Sequence, residues 1–220
     1  MITKIYIPIG VQCLTPMLLN ENKLRTKSYP FDWILSNPYF VYKILYFLLE
    51  DNMDINELVK EHFFRNDIKC SIDGLYNWKL DKNGTKFCNT RYNVIYPHDN
   101  YNDVNKYIRR FERLKTDILD QNKYIQLIYI SQSSLKNGNF TINGECVIQN
   151  VYENLNKIYN LLQKYNKNSN ILVFDAIQNE DIDTLNKEIV IYKISQKEGG
   201  FSKISNEVNI ILKKYLCIYF

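Results

Sequence analysis

The sequence predicts an α/β fold: a mostly parallel central sheet with helices on both faces, in a Rossmann-like three-layer arrangement. Three observations carry this. Short apolar runs, of which Ile171-Leu172-Val173-Phe174 is the most continuous, read as buried strands. Segments with apolar residues at helical spacing lie between them, and this alternation implies parallel pairing with both sheet faces covered. Only 7 glycines and 5 prolines occur in 220 residues, which leaves little material for linkers, so a single domain over residues 1–220 is expected.

The first strand is expected over residues 4–9, stopped by Gly10. A helix follows over about 13–20, carrying Leu14, Met17 and Leu18. Residues 24–33 form a loop with an aromatic anchor. Residues 38–49 read as a buried helix with Pro38 in its first turn, and 54–64 as a shorter one. Over 66–100 the pattern weakens into an irregular insertion, where Asp73-Gly74 and Asn83-Gly84 are turn signals between short β-like runs. A long helix starts near Asp103, which with Asn102 offers an N-cap, and it carries Ile108, Phe111, Leu114, Ile118 and Leu119. Strands are expected over 124–131, 170–176 and 188–194. Asn137-Gly138 and Asn143-Gly144 mark turns. An amphipathic helix over 147–165 turns Val151, Leu155, Ile158, Leu162 and Tyr165 to one face. A closing helix over 201–216 carries Ile204, Val208, Ile211 and Leu212.

Composition narrows the function. Hydrophobic residues make up 45% and charged residues 24%, ordinary for a folded globular chain. A net charge of +4 is too mild to imply nucleic acid as a partner. The 18 tyrosines, with abundant Asn, Lys and Ile, reflect AT-rich coding DNA rather than a binding surface. No run reaches the roughly 18 apolar residues of a membrane span. The N-terminus has no signal-peptide pattern, so the cytoplasm is the expected compartment. The five cysteines, Cys13, Cys70, Cys88, Cys146 and Cys217, are odd in number, far apart and free of C-x-x-C spacing. A disulfide framework is therefore not expected. With only His62 and His98 as imidazoles, no zinc-ligand spacing exists, and neither a metal site nor a cofactor is expected.

One cysteine stands in a chemically suggestive place. Gly10-Val11-Gln12-Cys13 leaves a strand and opens a helix, and α/β sheets bind ligands outside the carboxyl ends of their strands. A helix N-terminus favours thiolate over thiol, and its N–H groups can hold an oxyanion. The alternative is a buried thiol packing strand against helix. A thiol nucleophile needs a base. His62 falls on a helix and reads as a packing or surface residue. His98 falls in a loop just ahead of the long helix, where catalytic side chains concentrate. Asp99, Asp32 and Asp175 are the carboxylates that could orient it. In Pro30-Phe31-Asp32-Trp33 the two aromatics either plug the core while Asp32 caps the next turn, or Asp32 lies beside the site and pairs Arg25 or the base. Arg109, Arg110 and Arg113 cluster on the long helix, as a solvated face or as an anion site. Gln12, Arg25, Trp33, Arg109 and Arg113 are the candidate substrate contacts. There is no Walker, G-x-G-x-x-G, H-E-x-x-H or G-x-S-x-G motif.

The strand followed by G-x-x-C, then Leu24-Arg25 and Ser28-Tyr29-Pro30-Phe31-Asp32-Trp33, then Tyr96-Pro97-His98-Asp99 and the arginine-bearing helix, resembles the putative papain-like cysteine peptidase family. That is a domain-of-unknown-function family of bacteria and large DNA viruses. The match spans about residues 4 to 176. The resemblance implies Cys13 as nucleophile and His98 as base of a peptidase or related acyl-transfer enzyme acting on a peptide or small molecule. It implies host cytoplasm or a virion if the chain is viral. The rival expectation is a non-catalytic or transferase-type module that binds an anion such as a nucleotide or nucleotide-sugar through Arg25, Arg109 and Arg113. A third is a virion or host-interaction protein that kept the fold without activity.

Overall fold

The computed structural model describes residues 2–10, 13–64, 72–74, 88–89, 91–92, 94–96, 103–131, 140–142, 145–146, 150–175, 185–194 and 200–218. The chain order is β1 (Thr3–Pro8), α1 (Leu14–Glu21), α2 (Pro38–Leu49) and α3 (Ile55–Glu57), which runs straight into a π-helical segment (Leu58–Phe63). Next come β2 (Ile72–Gly74), β3 (Cys88–Asn89), β4 (Val94–Ile95), α4 (Val104–Leu119) and β5 (Lys123–Ile130). The chain ends with β6 (Phe140–Ile142), β7 (Glu145–Cys146), α5 (Val151–Tyr165), β8 (Ser169–Asp175), β9 (Val190–Lys193) and α6 (Gly200–Ile218).

The main sheet has the order β1-β5-β8-β9, and every neighbouring pair is parallel. Alternation along each strand divides the core in two. On one face Ile5, Ile7, Ile125, Leu127, Tyr129, Ile171 and Val173 meet the buried sides of α2, α4 and α5. On the other, Tyr6, Ile128, Ile130, Leu172 and Phe174 meet Leu14 and Leu18 of α1 and Ile204, Val208 and Leu212 of α6. The result is the three-layer α/β arrangement expected from the apolar runs. Each of the expected parallel strands is present, within a residue or two of its expected ends.

Local chemistry explains the helix ends. Asn37 caps α2, its side chain accepting from the Phe40 N–H at 2.9 Å, and Pro38 takes the first turn. This settles one alternative: Asp32 caps no helix. Asp103 sits at the start of α4 without a capping side-chain bond, contrary to expectation, and α5 begins at Val151 rather than 147. Leu119, counted with the apolar stripe of α4, is 45% exposed: it is the last residue of the helix and faces away from the core that buries its neighbour Ile118. Asp73-Gly74 does not form a turn. Both residues pair antiparallel in β2, opposite Thr141 and Phe140 of β6. The turn signals at 83–84, 137–138 and 143–144 lie outside the described residues; β6 and β7 pair antiparallel across the last of them.

An aromatic cluster fills the layer between α2, α4 and the insertion. The Phe63 ring meets Tyr107 at 4.7 Å, Phe111 at 5.1 Å, Tyr96 at 5.4 Å and Phe40 at 5.5 Å between centroids. The π-helical segment frees its last carbonyls for side chains. Asn89 donates to the His62 and Phe63 carbonyls, and the Tyr96 hydroxyl donates to the Phe63 carbonyl. The chain leading to residue 97 is thereby fixed to the core.

Candidate active site

β1 continues past Pro8 in sheet register. The Ile9 N–H donates to the Ile128 carbonyl at 2.9 Å. At Gly10 the chain turns sharply against its neighbours. A Cβ there would lie 2.3 Å from Thr15 Oγ1 and 3.5 Å from the Ile130 nitrogen. Only hydrogen fits, and this close approach lets α1 start immediately. Cys13 stands at the head of α1 in helical conformation, half-buried and in no disulfide. The first intrahelical bond runs from the Met17 N–H to the Cys13 carbonyl at 3.1 Å.

The position of Cys13 follows from topology. After β1 the chain passes into α1, on the α6 face of the sheet. The helix that follows β5, α5, packs on the opposite face. Open α/β sheets bind ligands outside the carboxyl ends of their strands. Cys13 lies at that edge.

The chain then returns to the same edge. Residues 34–37 run beside β4: the Leu35 N–H donates to the Ile95 carbonyl at 2.9 Å and the Ile95 N–H donates back at 3.0 Å. The next residue, Ser36, is fully buried, and its hydroxyl donates to the Gly10 carbonyl at 3.3 Å. Asn37 donates to the Tyr92 carbonyl at 2.8 Å. Leu35, Ser36 and Asn37 thus clasp β4 to the β1–α1 junction. Sequence reasoning missed this clasp, since nothing marks Ser36 apart from its place after the aromatic block.

The aromatic block itself builds an ion pair. Asp32 is fully buried. Its Oδ2 accepts from Arg25 Nε at 3.0 Å, Arg25 Nη2 at 2.5 Å and the Tyr29 N–H at 3.2 Å. Oδ1 is buried and accepts no hydrogen bond from any described residue. Burial pushes the Asp32 carboxyl up, and the Arg25 guanidinium opposes it. Phe31 plugs the core edge-on to Phe40 and Phe111. Trp33 does not: it is half-buried, with φ 63°, and the Arg25 guanidinium lies 5.9 Å from its ring centroid. Arg25, Asp32 and Trp33 are therefore brought together, as the pairing alternative had it.

The arginines of α4 divide. Arg109 is exposed. Arg113 donates to the Ser28 carbonyl at 2.5 Å and holds the loop. Arg110 lies over the Tyr107 ring at 4.9 Å and contributes to the field at Asp32. Asp117, near the end of α4, is a second buried carboxylate that sequence reasoning passed over. It accepts from Lys123 at 2.8 Å, Lys27 at 3.0 Å and the Tyr29 hydroxyl at 2.7 Å. Lys123 opens β5, so this cluster marks the amino edge of the sheet, the end away from Cys13. His62 packs in the core layer, its ring 4.3 Å from that of Phe47. Gln12, His98 and Asp99 lie outside the described residues. Among the described residues no three His, Cys, Asp or Glu side chains gather as a metal site, and no helix is long and apolar enough to cross a membrane.

A three-layer α/β protein with a half-buried cysteine at the carboxyl edge of its first strand is the class that fold and site define. The chain belongs to the family described as putative papain-like cysteine peptidase, which matches residues 4–157. That span runs from β1 into α5 and includes Cys13, the Phe31-Asp32-Trp33 block and His98. No curated protein and no solved structure matches the chain.

Proposed function

We propose that the chain is a cysteine-nucleophile hydrolase, a peptidase or related acyl-transfer enzyme, with Cys13 as nucleophile and His98 as base. The observation that carries this is the placement of Cys13 at the head of α1, at the carboxyl edge of β1. The clasp supports His98 as partner. Ser36 touches the Gly10 carbonyl while its neighbour Leu35 pairs with Ile95. His98 follows Ile95 by three residues and Cys13 follows Gly10 by three. Three residues reach at most about 11 Å, so two side chains that start from one clasp can meet. α4 supports it too. Its far end meets the amino edge through Asp117 and Lys123, so its start, shortly after His98, faces the carboxyl edge.

In this reading the Cys13 thiol gives its proton to His98 and the thiolate attacks the substrate carbonyl. Intrahelical bonding begins at Met17 and Pro16 has no N–H, so the Leu14 and Thr15 N–H groups are those that would hold the oxyanion. Collapse breaks the bond to the leaving group, which takes the proton from the imidazolium and leaves a thioester on Cys13. Water or another acceptor, deprotonated by His98, then attacks the thioester and frees the thiol. Trp33, Arg109 and Gln12 are the substrate contacts in this reading, and Asp32, Asp99 and Asp175 the carboxylates available to orient His98. The anion-binding reading is weaker, because Arg25 is held by Asp32 and Arg113 by Ser28.

A fluorescent peptidyl vinyl sulfone tests the proposal. It is expected to label wild type at Cys13, to spare Cys13→Ala, and to label His98→Ala about 100-fold more slowly, within the range of general-base effects. Equal labelling of Cys13→Ala, or an unchanged rate in His98→Ala, would sink it.

A further inference from the structure

The base of a thiol nucleophile is held in one tautomer by a carboxylate, and such carboxylates work buried and hydrogen-bonded. Asp32 is buried, and the turn that carries it is tied on one side toward the amino edge. It lies one tight turn after Tyr29, whose hydroxyl reaches Asp117 and, through it, Lys123 at the amino edge. Its Oδ2 is occupied by Arg25 and the Tyr29 N–H.

Asp175 lies at the opposite edge, where Cys13 is. Backbone register shows this. A Cβ on Gly10 would meet the Ile130 nitrogen, Ile130 is the sheet partner of Phe174, and the Ser131 N–H donates to the Phe174 carbonyl at 2.9 Å. Gly10, Ile130 and Phe174 therefore form one row across the carboxyl ends of β1, β5 and β8, and Ser131 and Asp175 follow directly beyond it on β5 and β8. Two strand spacings make that row about 10 Å wide. Alternation puts Ser131 and Asp175 on the face of Tyr129 and Val173, which is also the face of Leu35, Ile95 and Tyr96, the residues that lead to His98. Asp175 is fully buried, and the Ser131 hydroxyl fixes its Oδ1 at 3.0 Å.

We propose that Asp175, rather than Asp32, is the residue that positions the His98 imidazole and stabilises its charged form. The proposal rests on the Cys13–His98 reading. Beside Asp175 stand Tyr129 of β5, whose phenol burial holds neutral and which also neighbours Tyr152 of α5, and on β9 its sheet partner Lys193, which is exposed.

The test is the pH dependence of Cys13 alkylation by iodoacetamide, read by peptide mass spectrometry on the full chain. An imidazolium beside the thiol makes the alkylation rate rise well below the ordinary cysteine value of about 8.5. His98→Ala is expected to return the rise to that value. Asp175→Asn keeps an acceptor for Ser131 and removes only the charge. It is expected to move the rise upward by about one unit, with about a tenfold loss of rate at neutral pH, since a removed neighbouring charge shifts a pKa by one to three units. Asp32→Asn is expected to leave the rise in place. If Asp175→Asn tracks wild type, or Asp32→Asn moves the rise instead, the proposal is overturned while the pair stands. If wild type and His98→Ala coincide, the pair itself falls and the proposal with it. Should Asp175→Asn fail to fold, Ser131→Ala is the substitute. It is expected to move the rise the same way by less, and an unmoved rise there overturns the proposal.

Discussion

Gly10 decides where the nucleophile stands. Its missing Cβ lets Thr15 close onto the chain, so α1 begins four residues after Gly10. Gly10→Ala puts a methyl group 2.3 Å from Thr15 Oγ1, and Thr15 is buried and cannot swing away. Overpacking of this kind costs about 1–3 kcal/mol. Urea unfolding is expected to show that loss in Gly10→Ala and to show more than half of it recovered when Thr15→Ala is added. An additive double variant would mean that the two side chains do not compete for the space. At this scale the sequence was informative about kind and poor about partners. A cysteine after strand and glycine was visible as a candidate nucleophile. The Asp32–Arg25 pair was one of two open alternatives, and that Asn37 rather than Asp32 caps α2 and that Ser36 reaches the Gly10 carbonyl depend on side-chain directions that residue types do not encode.

Helices and strands were legible where burial is periodic. α2 matches its expected bounds, and α4 and α5 show the apolar stripes that predict them. β2 was misread because Asp-Gly is the commonest local turn signal, yet here pairing with β6 outweighs local preference. The join of α4 to β5 was readable as two elements but not as an electrostatic unit. Burial acts to raise the Asp117 carboxyl, but hydrogen bonds from Lys123, Tyr29 and Lys27 outweigh it and hold the group below the usual carboxylate range. A depressed native pKa adds stability that is fully present above the unfolded value, about 3.9, and is lost as pH falls through the lower native value. Asp117→Asn is therefore expected to cost about 1–3 kcal/mol at pH 6, where charged hydrogen bonds are replaced by neutral ones. The gap from wild type should close as pH drops below about 4. Asp32 runs the other way, since burial raises its carboxyl and a raised group favours the folded state more as pH falls. A wild-type-to-variant gap for Asp117→Asn that stays constant between pH 6 and pH 3 would show that its charge does not stabilise the fold.

For the whole molecule, the question is how far one cooperative unit extends. The family match stops at residue 157, inside α5, whereas the main sheet does not stop there. β8 lies between β5 and β9, and it pairs with β5 over six residues, from Ile125↔Ser169 to Ile130↔Phe174. Without it, Ile128 and Ile130 would lose Leu172 and Phe174 as neighbours, and β5 would become a long apolar edge open to other chains. Ile204, Val208 and Leu212 of α6 cover the same face together with Leu14 and Leu18 of α1, so the helix that carries Cys13 at its head packs in a core completed by the last helix. The sequence showed alternation but not strand order, because order depends on long-range pairing that no local pattern reports. The expected consequence is a single unfolding transition for the full chain, coincident by far-ultraviolet circular dichroism and by tryptophan fluorescence from Trp33 and Trp78. A chain cut after residue 157 is expected to show no cooperative transition and to aggregate, and to lose selective Cys13 labelling as well. Two separated transitions in the full chain, or a folded and selectively labelled fragment, would mean that the last strands and helix form a unit of their own and that the Cys13 edge does not need them.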